Sequence, residues 1–355
     1  MNMLFEKILH SKERKVPRRN RLGSSLLFAC VVMVVSAHGQ PRAGWQDVAA
    51  SLGSTHHVAT DLKQILFAGT RDGWILTPRE ILLTGDSGAS WKSYAPASSI
   101  SIAGGFRITL KDGWIAATEN ESGCKNSGMV HGSLYRTFDG GKTWILLSRL
   151  RGFDLSSFVN IHFVSKEIGW AMAGCGAVFR TDDGGLTWQL QHLAPEGEYF
   201  RDLVFADRDR GWIVGDKVVL STSNSGLIWR TSYEGIGNLL FDIEISPDGR
   251  VWVAGNNGFL IVTNDSGTKW QRTVLPDRFK ELWFSRILFV DAFNGWVIGG
   301  RGRSADVLRT KDGGITWEDE GLPAGSGFLF DLTVVGPSLI AVGRDKTILK
   351  RASKE

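Results

Sequence analysis

The stretch TDDGGLTW, Thr181 to Trp188, is a short polar turn that closes on a tryptophan. The same eight-residue frame returns at five other places: TGDSGASW (Thr84 to Trp91), TFDGGKTW (Thr137 to Trp144), TSNSGLIW (Thr222 to Trp229), TNDSGTKW (Thr263 to Trp270) and TKDGGITW (Thr310 to Trp317). A catalytic site does not come in six copies, so the frame reads as architecture. Its acid (Asp86, Asp139, Asp183, Asp265 or Asp312) is placed to accept N–H groups of its own turn. The glycine that follows permits a positive φ angle. The closing tryptophan (Trp91, Trp144, Trp188, Trp229, Trp270 or Trp317) buries a large apolar surface against its sheet or a neighbour. Asn224 replaces the acid in the fourth copy. An amide caps the same turn, which suits a structural role and not a catalytic one.

Successive box tryptophans lie 53, 44, 41, 41 and 47 residues apart, the repeat length of a four-stranded propeller blade. Each unit carries short β-branched and aromatic runs broken by Gly and Asp, such as FRDLVFA, GWIVG and VVLSTS between Phe200 and Ser223. No long apolar period of 3.6 residues is present, so helices are expected to be nearly absent. A second-strand signal marks six units (Gly73-Trp74, Gly113-Trp114, Gly169-Trp170, Gly211-Trp212, Val251-Trp252 and Gly295-Trp296), and SLIAVG (Ser338 to Gly343) marks a seventh. That last unit has no box and no outer strand. Gly44-Trp45-Gln46-Asp47-Val48 resembles the sequence that follows a box, so the N-terminal strand is expected to complete it and remove the exposed sheet edges. The expected fold is all-β: one seven-bladed β-propeller of four-stranded blades, spanning residues 40–355 as a single domain.

Residues 1–39 read as an export signal. Seven basic side chains, from Lys7 to Arg21, precede an apolar run of about 14 residues and the small-x-small site Ala37-His38-Gly39. A spanning helix needs about 20 apolar residues, so an uncleaved anchor is the alternative reading. The expected location is periplasmic or extracellular, with membrane contact only through a retained leader. Without this segment 34 basic and 35 acidic residues remain, and the formal charge of +4 becomes about −1. A chain with no global basic field is not expected to take nucleic acid as its main partner. Cys124 and Cys175 remain after the leader, either paired between loops of neighbouring units or as two separate thiols. No CxxC, HExxH or Gly-rich phosphate loop occurs, and neither metal nor cofactor is expected.

The frame S/T-x-D-x-G-x-T-W is the Asp-box, or BNR repeat, of sialidases, sortilin-type receptors and xyloglucan hydrolases. With GWxVG before the third strand and D-G-G-x-T-W after it, the chain from Gly44 to about Arg351 most resembles the photosystem II stability/assembly factor family. The resemblance implies an exported, monomeric, non-enzymatic scaffold that binds a protein partner and assists assembly of a membrane or envelope complex. A glycan-binding or glycosidase-like propeller is the alternative. Phe106-Arg107-Ile108-Thr109 is similar to the sialidase F-R-I-P motif, but threonine stands for proline and the match falls inside the second unit.

Candidate binding residues follow from the repeat. The polar residue ten positions before each second-strand tryptophan, or its equivalent, is Gln64, Gly104, Asn160, Asp202, Asp242 and Arg286, with Asp331 close to register in the seventh unit. These either line a central channel or satisfy neighbouring backbone amides. On the face opposite the boxes two connections read as long loops, Glu119 to Gly132 and Arg301 to Asp306. In the second of these, Arg301 and Arg303, with Arg286 and Arg344, compose a local basic patch suited to acidic segments of a partner. Replacing both Arg301 and Arg303 by glutamate is expected to weaken partner capture in a pull-down while leaving the thermal midpoint unchanged; undiminished capture would count against this surface.

Overall fold

The computed structural model describes residues 44–53, 61–94, 100–119, 131–150, 158–173, 176–195 and 198–352. The chain divides into two units, Met1–Gln40 and Pro41–Glu355, and everything below lies in the second. The leader, Cys124, Cys175 and most of the connection from Glu119 to Gly132 lie outside the described residues.

Short strands dominate because the apolar runs are short, β-branched and punctuated by glycine and aspartate. The described helical segments are brief 3-10 turns at Ala49–Leu52, Asp277–Phe279 and Arg344–Lys346. None is long and apolar enough to cross a membrane. Five sheets are four-stranded, antiparallel meanders, the first running Gln64–Ala68, Asp72–Leu76, Ile81–Thr84 and Lys92–Tyr94. A six-stranded sheet joins the fourth and fifth sequence units, because Gly211–Thr222 and Arg230–Ile245 each run through two strand positions of the repeat. In the last sheet Leu329–Val335, Ser338–Gly343 and Ile348–Ala352 are joined by Trp45–Asp47, which pairs antiparallel with Trp45 opposite Arg351. Its Trp45 indole donates to Glu320 Oε2 at 2.9 Å, and Trp296 donates to the same oxygen at 3.2 Å.

The Thr181 hydroxyl donates to Asp183 Oδ1 and accepts the Gly185 N–H, while Asp183 accepts the N–H and hydroxyl of Thr187. Every box shares the first three of these bonds, and the last, from a hydroxyl, is missing where Ile228 and Lys269 stand in the fourth and fifth copies. Asn224 Oδ1 holds the Ile228 N–H at 2.9 Å, so the amide keeps the main contact of the acid it replaces. Gly185 has φ +94, and a Cβ there would come within 2.7 Å of Leu134.

The second-strand signal, a counting mark in the sequence, has a packing cause. Phe163 of the third sheet lies across Gly169, its register partner, where a Cβ would run into the ring. That ring stacks on Trp114 of the preceding sheet, with centroids 3.9 Å apart, and meets its own box tryptophan, Trp188, edge-on. Phe205 repeats this with Trp170 and Trp229, and Phe289 with Trp252 and Trp317. The buried indoles also reach the next box: Trp74 donates to the Gly140 carbonyl, Trp114 to Gly184 and Trp170 to Ser225, at 2.8 to 3.1 Å. In the last sheet Ile340 stands at the tryptophan position and packs beside Gly88 of the first box.

One connection differs from the sequence reading. Arg301 to Asp306 is not a long loop, because strands Gly295–Arg301 and Ser304–Thr310 continue pairing to Arg301 opposite Ser304, leaving a two-residue hairpin of Gly302 and Arg303. Glycine and serine in the run allowed a loop; cross-strand pairing keeps it in the sheet. Because Trp170 joins two sheets, Trp170→Ala is expected to lower the unfolding free energy by about 3–5 kcal/mol, as measured by urea denaturation followed through circular dichroism.

Candidate functional site

Apart from the fifth unit, whose first strand is the second half of Arg230–Ile245, the first strand of each unit is an edge of its own sheet, so one row of its backbone groups has no partner there. First strands of successive units touch one another, and Leu329–Val335 touches Gln64–Ala68. The polar residues picked out by the repeat meet these edges. Gln64 accepts the Gly105 N–H at 2.9 Å; Asp202 accepts that of Ile243 at 3.0 Å; Asp242 that of Ile287 at 2.8 Å; and Asp331 that of Ile65 at 2.8 Å. Asn160 Nδ2 donates to Asp202 Oδ1. Gly104 has no side chain to contribute.

Arg286 lies in the middle of these carboxylates. Its Nη1 is 2.7 Å from Asp242, its Nε 3.2 Å from Asp331 and its Nη2 3.5 Å from Glu244. Burial pushes the Glu244 carboxyl up to about 7 against the pull of Arg286, and Asp331 up to about 6 for the same reasons. Burial, followed by the charge of Asp242, also raises Asp202. Burial lowers His162 to about 4 and keeps it neutral, with its Nε2 3.2 Å from the Phe205 carbonyl oxygen. Glu244 and His162 escaped the sequence reading, yet each stands two residues beyond a residue of the polar series, Asp242 and Asn160, and so shares its face of the strand.

Above this cluster, at the strand ends away from the boxes, opens a cavity of about 760 Å³. Tyr199, Phe241, Trp283, Phe328 and Phe330 form its aromatic walls, and Lys63, Arg201 and Arg344 are its cations; among the described residues no acidic side chain lines it. The Phe241 and Trp283 rings stack at 5.6 Å, and Trp283 is left 48% exposed. Lys63 Nζ sits 4.2 Å over Phe330, the Arg201 guanidinium 5.0 Å over Phe241, and that of Arg344 5.9 Å from both Phe328 and Phe330. Arg201 is further fixed by Asp216 at 2.7 Å.

A repeated irregularity delivers these groups. The register of the first strand slips between Phe200 and Asp202, Leu240 and Asp242, Phe284 and Arg286, and Leu329 and Asp331. Each slip is a bulge that leaves one extra residue, and bulges re-aim side chains. The extra residues, Arg201, Phe241, Ser285 and Phe330, all line the cavity, while the residue after each enters the buried cluster.

The basic patch expected from sequence is divided. Arg344 donates to the Gly302 carbonyl at 3.1 Å and so joins the hairpin that carries Arg301 and Arg303. Arg301 pairs with Glu281 at 2.9 Å, both exposed. Arg286 belongs to the buried cluster instead. Arg107, of the sialidase-like motif, donates to the carbonyls of Asp72, Thr109 and Leu110 and lies over Trp74. Among the described residues no group of three or more His, Cys, Asp or Glu is arranged to hold a metal ion.

Known proteins of similar shape define the class first. A YCF48 structure described as bound to D1 peptide superposes with a TM-score of 0.68 at 20% identity, over 89% of this chain and 98% of its own. A GH74 xyloglucanase from Xanthomonas campestris superposes at 0.65 and 14% identity, over 87% of this chain and 54% of its own. The fold is a β-propeller. Residues 153–234 and 230–305 match the family model for the photosynthesis system II assembly factor YCF48. The photosystem II assembly lipoprotein Ycf48 of one Prochlorococcus marinus strain is 25% identical over 189 residues, covering 50% of this chain and 53% of the relative. The stretch from residue 153 to residue 305 thus resembles a photosystem II assembly factor family, and the chain spans about half the length of that relative.

The buried cluster has a pH consequence. Glu244 and Asp331 have pKa values raised by folding, so the native state holds protons that the unfolded chain has released. Their stabilising contribution is fully present below about pH 4 and is lost as pH rises through about 6 to 7. The box acids act in another window. The Ser90 hydroxyl holds Asp86 at about 2, and that of Thr316 does the same for Asp312, so their contribution is lost only as pH falls below about 4. The thermal midpoint is therefore expected to fall between pH 5 and 8, and to fall less in Glu244→Gln; a flat wild-type profile in scanning calorimetry would contradict the assignment.

Proposed function

We propose that this chain is a non-enzymatic, seven-bladed propeller scaffold that holds an extended segment of a protein partner in the aromatic and cationic cavity at its axis. The cavity carries the reading. Its size is that of a site for a few side chains. Its half-exposed indole is a typical binding anchor, and its three cations favour a segment bearing carboxylate groups. The D1 peptide named with the YCF48 structure supports a peptide as the ligand, and the family supports a role in assembling a membrane complex. Closure of the ring as seven blades is supported by the pairing of Trp45–Asp47 with Ile348–Ala352 and by the hydrogen bond from Ile65 to Asp331. Residues 1–39 support export to the periplasm or outer surface, with the leader removed or kept as an anchor.

The glycosidase reading is disfavoured by the chemistry of the cavity. Glycoside hydrolysis needs two carboxyl groups facing each other across the substrate, whereas among the described residues no acidic side chain lines this cavity. Asp202, Asp242 and Asp331 are engaged by backbone amides, and Asp242 and Asp331 also by Arg286. With the tagged chain crosslinked in its own host, Trp283→Ala combined with Arg344→Ala is expected to abolish capture of the partner by affinity purification while leaving the circular dichroism spectrum unchanged. Undiminished capture by this variant would remove the cavity from the function.

A further inference from the structure

The cavity and the buried cluster are two outputs of the same four bulges. Arg201, Phe241, Ser285 and Phe330 face the cavity, and the next residue in each strand is Asp202, Asp242, Arg286 or Asp331. The cluster is short of positive charge. Among the described residues Arg286 is the cation facing Asp202, Asp242, Glu244 and Asp331, so full ionisation of these would leave four negative charges against one positive. Polar groups on neighbouring strands include His162, held neutral by burial, and the uncharged Asn160 and Gln64. Outside the cluster, Arg201 is neutralised by Asp216 and Lys63 pairs with Asp61 at 3.1 Å. Like charges crowded in a low-dielectric site resist simultaneous ionisation, and a further anion placed beside them favours proton uptake.

Resting on the reading of the cavity as a peptide site, we propose that binding of an anionic segment there is coupled to uptake of a proton by the cluster beneath it, so that the scaffold holds its partner more tightly as pH falls from 8 to about 5.5. The structural basis is adjacency. An anion held in the cavity by Lys63, Arg201 and Arg344 stands beside Arg201, Phe241 and Phe330, each of which precedes by one residue a carboxylate of the cluster, Asp202, Asp242 or Asp331. Protonating one of them relieves the repulsion that the bound anion adds, and by reciprocity the anion favours the proton. Glu244 is the group best placed to take it. Of the three carboxylates paired with Arg286 it has the longest contact, at 3.5 Å, and the described hydrogen bonds give it no backbone N–H partner, unlike Asp202, Asp242 and Asp331.

The test uses 1-anilinonaphthalene-8-sulfonate, an apolar anion whose sulfonate stays ionised throughout this pH range, with the mature chain at fixed ionic strength. Its dissociation constant, read by fluorescence, is expected to tighten about tenfold between pH 8 and 5.5, the consequence of one unit of pKa shift in the coupled group. Calorimetric titration of the wild type at pH 6.5 in two buffers of different ionisation enthalpy is expected to show net proton uptake, a readout independent of any variant. Glu244→Gln, which fixes a neutral side chain, is expected to bind at every pH with the affinity that the wild type reaches at low pH. Loss of binding in Trp283→Ala locates the dye in the cavity. Dye bound in the cavity with pH-independent affinity and no proton uptake overturns the coupling and leaves the peptide site standing. Binding indifferent to Trp283→Ala and Arg344→Ala overturns both.

Discussion

The structure depends on an aromatic ring laid across a glycine. Phe163, Phe205 and Phe289 each cover the glycine opposite them in register, stack on the tryptophan of the sheet before and meet their own box tryptophan edge-on. A single ring therefore joins three elements, two within a sheet and one across the gap. A four-stranded sheet of this size cannot bury enough apolar surface alone, so each unit is completed by its neighbours. The box turn supplies the other half of the contact, since its carbonyls accept the indole N–H groups and its glycine leaves room for the rings.

The inner edge poses a different problem. Edge strands brought together leave backbone N–H groups facing one another's sheets without a ladder to join them. Here side chains do the joining: Gln64, Asp202, Asp242 and Asp331 each accept an N–H from the next unit. Using carboxylates for this task concentrates negative charge at the centre, and Arg286 offsets only part of it. The surplus appears as raised pKa values at Glu244 and Asp331. Structural satisfaction of the backbone thus creates, as a by-product, a group of carboxyls that titrate near neutral pH directly beneath an open cavity.

Much of the architecture was legible because it is periodic. The boxes, the paired glycine and tryptophan, and the N-terminal strand resembling a post-box strand are spaced by the repeat itself. Asn224 even signalled the kind of role its turn plays, since an amide retains the contact to Ile228. The polar series was found by the same counting, and Glu244 and His162 were within reach of it by a further step of two residues. The hairpin at Gly302 and Arg303 was misjudged as a loop because small and polar residues permit either outcome, and only pairing with the opposite strand decides.

What the sequence alone determined is therefore whatever recurs: an all-β chain of repeated four-stranded units, turns capped by aspartate or asparagine, and tryptophans that mark the buried faces. Tertiary structure alone decided the site. Arg201, Phe241, Ser285 and Phe330 share no residue type and belong to no motif; they meet in one cavity because a bulge in each strand adds one residue and turns the side chain outward. A bulge breaks the two-residue alternation by which faces are read from a strand sequence. For the same reason Arg286 and Arg344, alike in sequence as surface cations, were separated, one into the buried cluster and the other to the rim of the cavity.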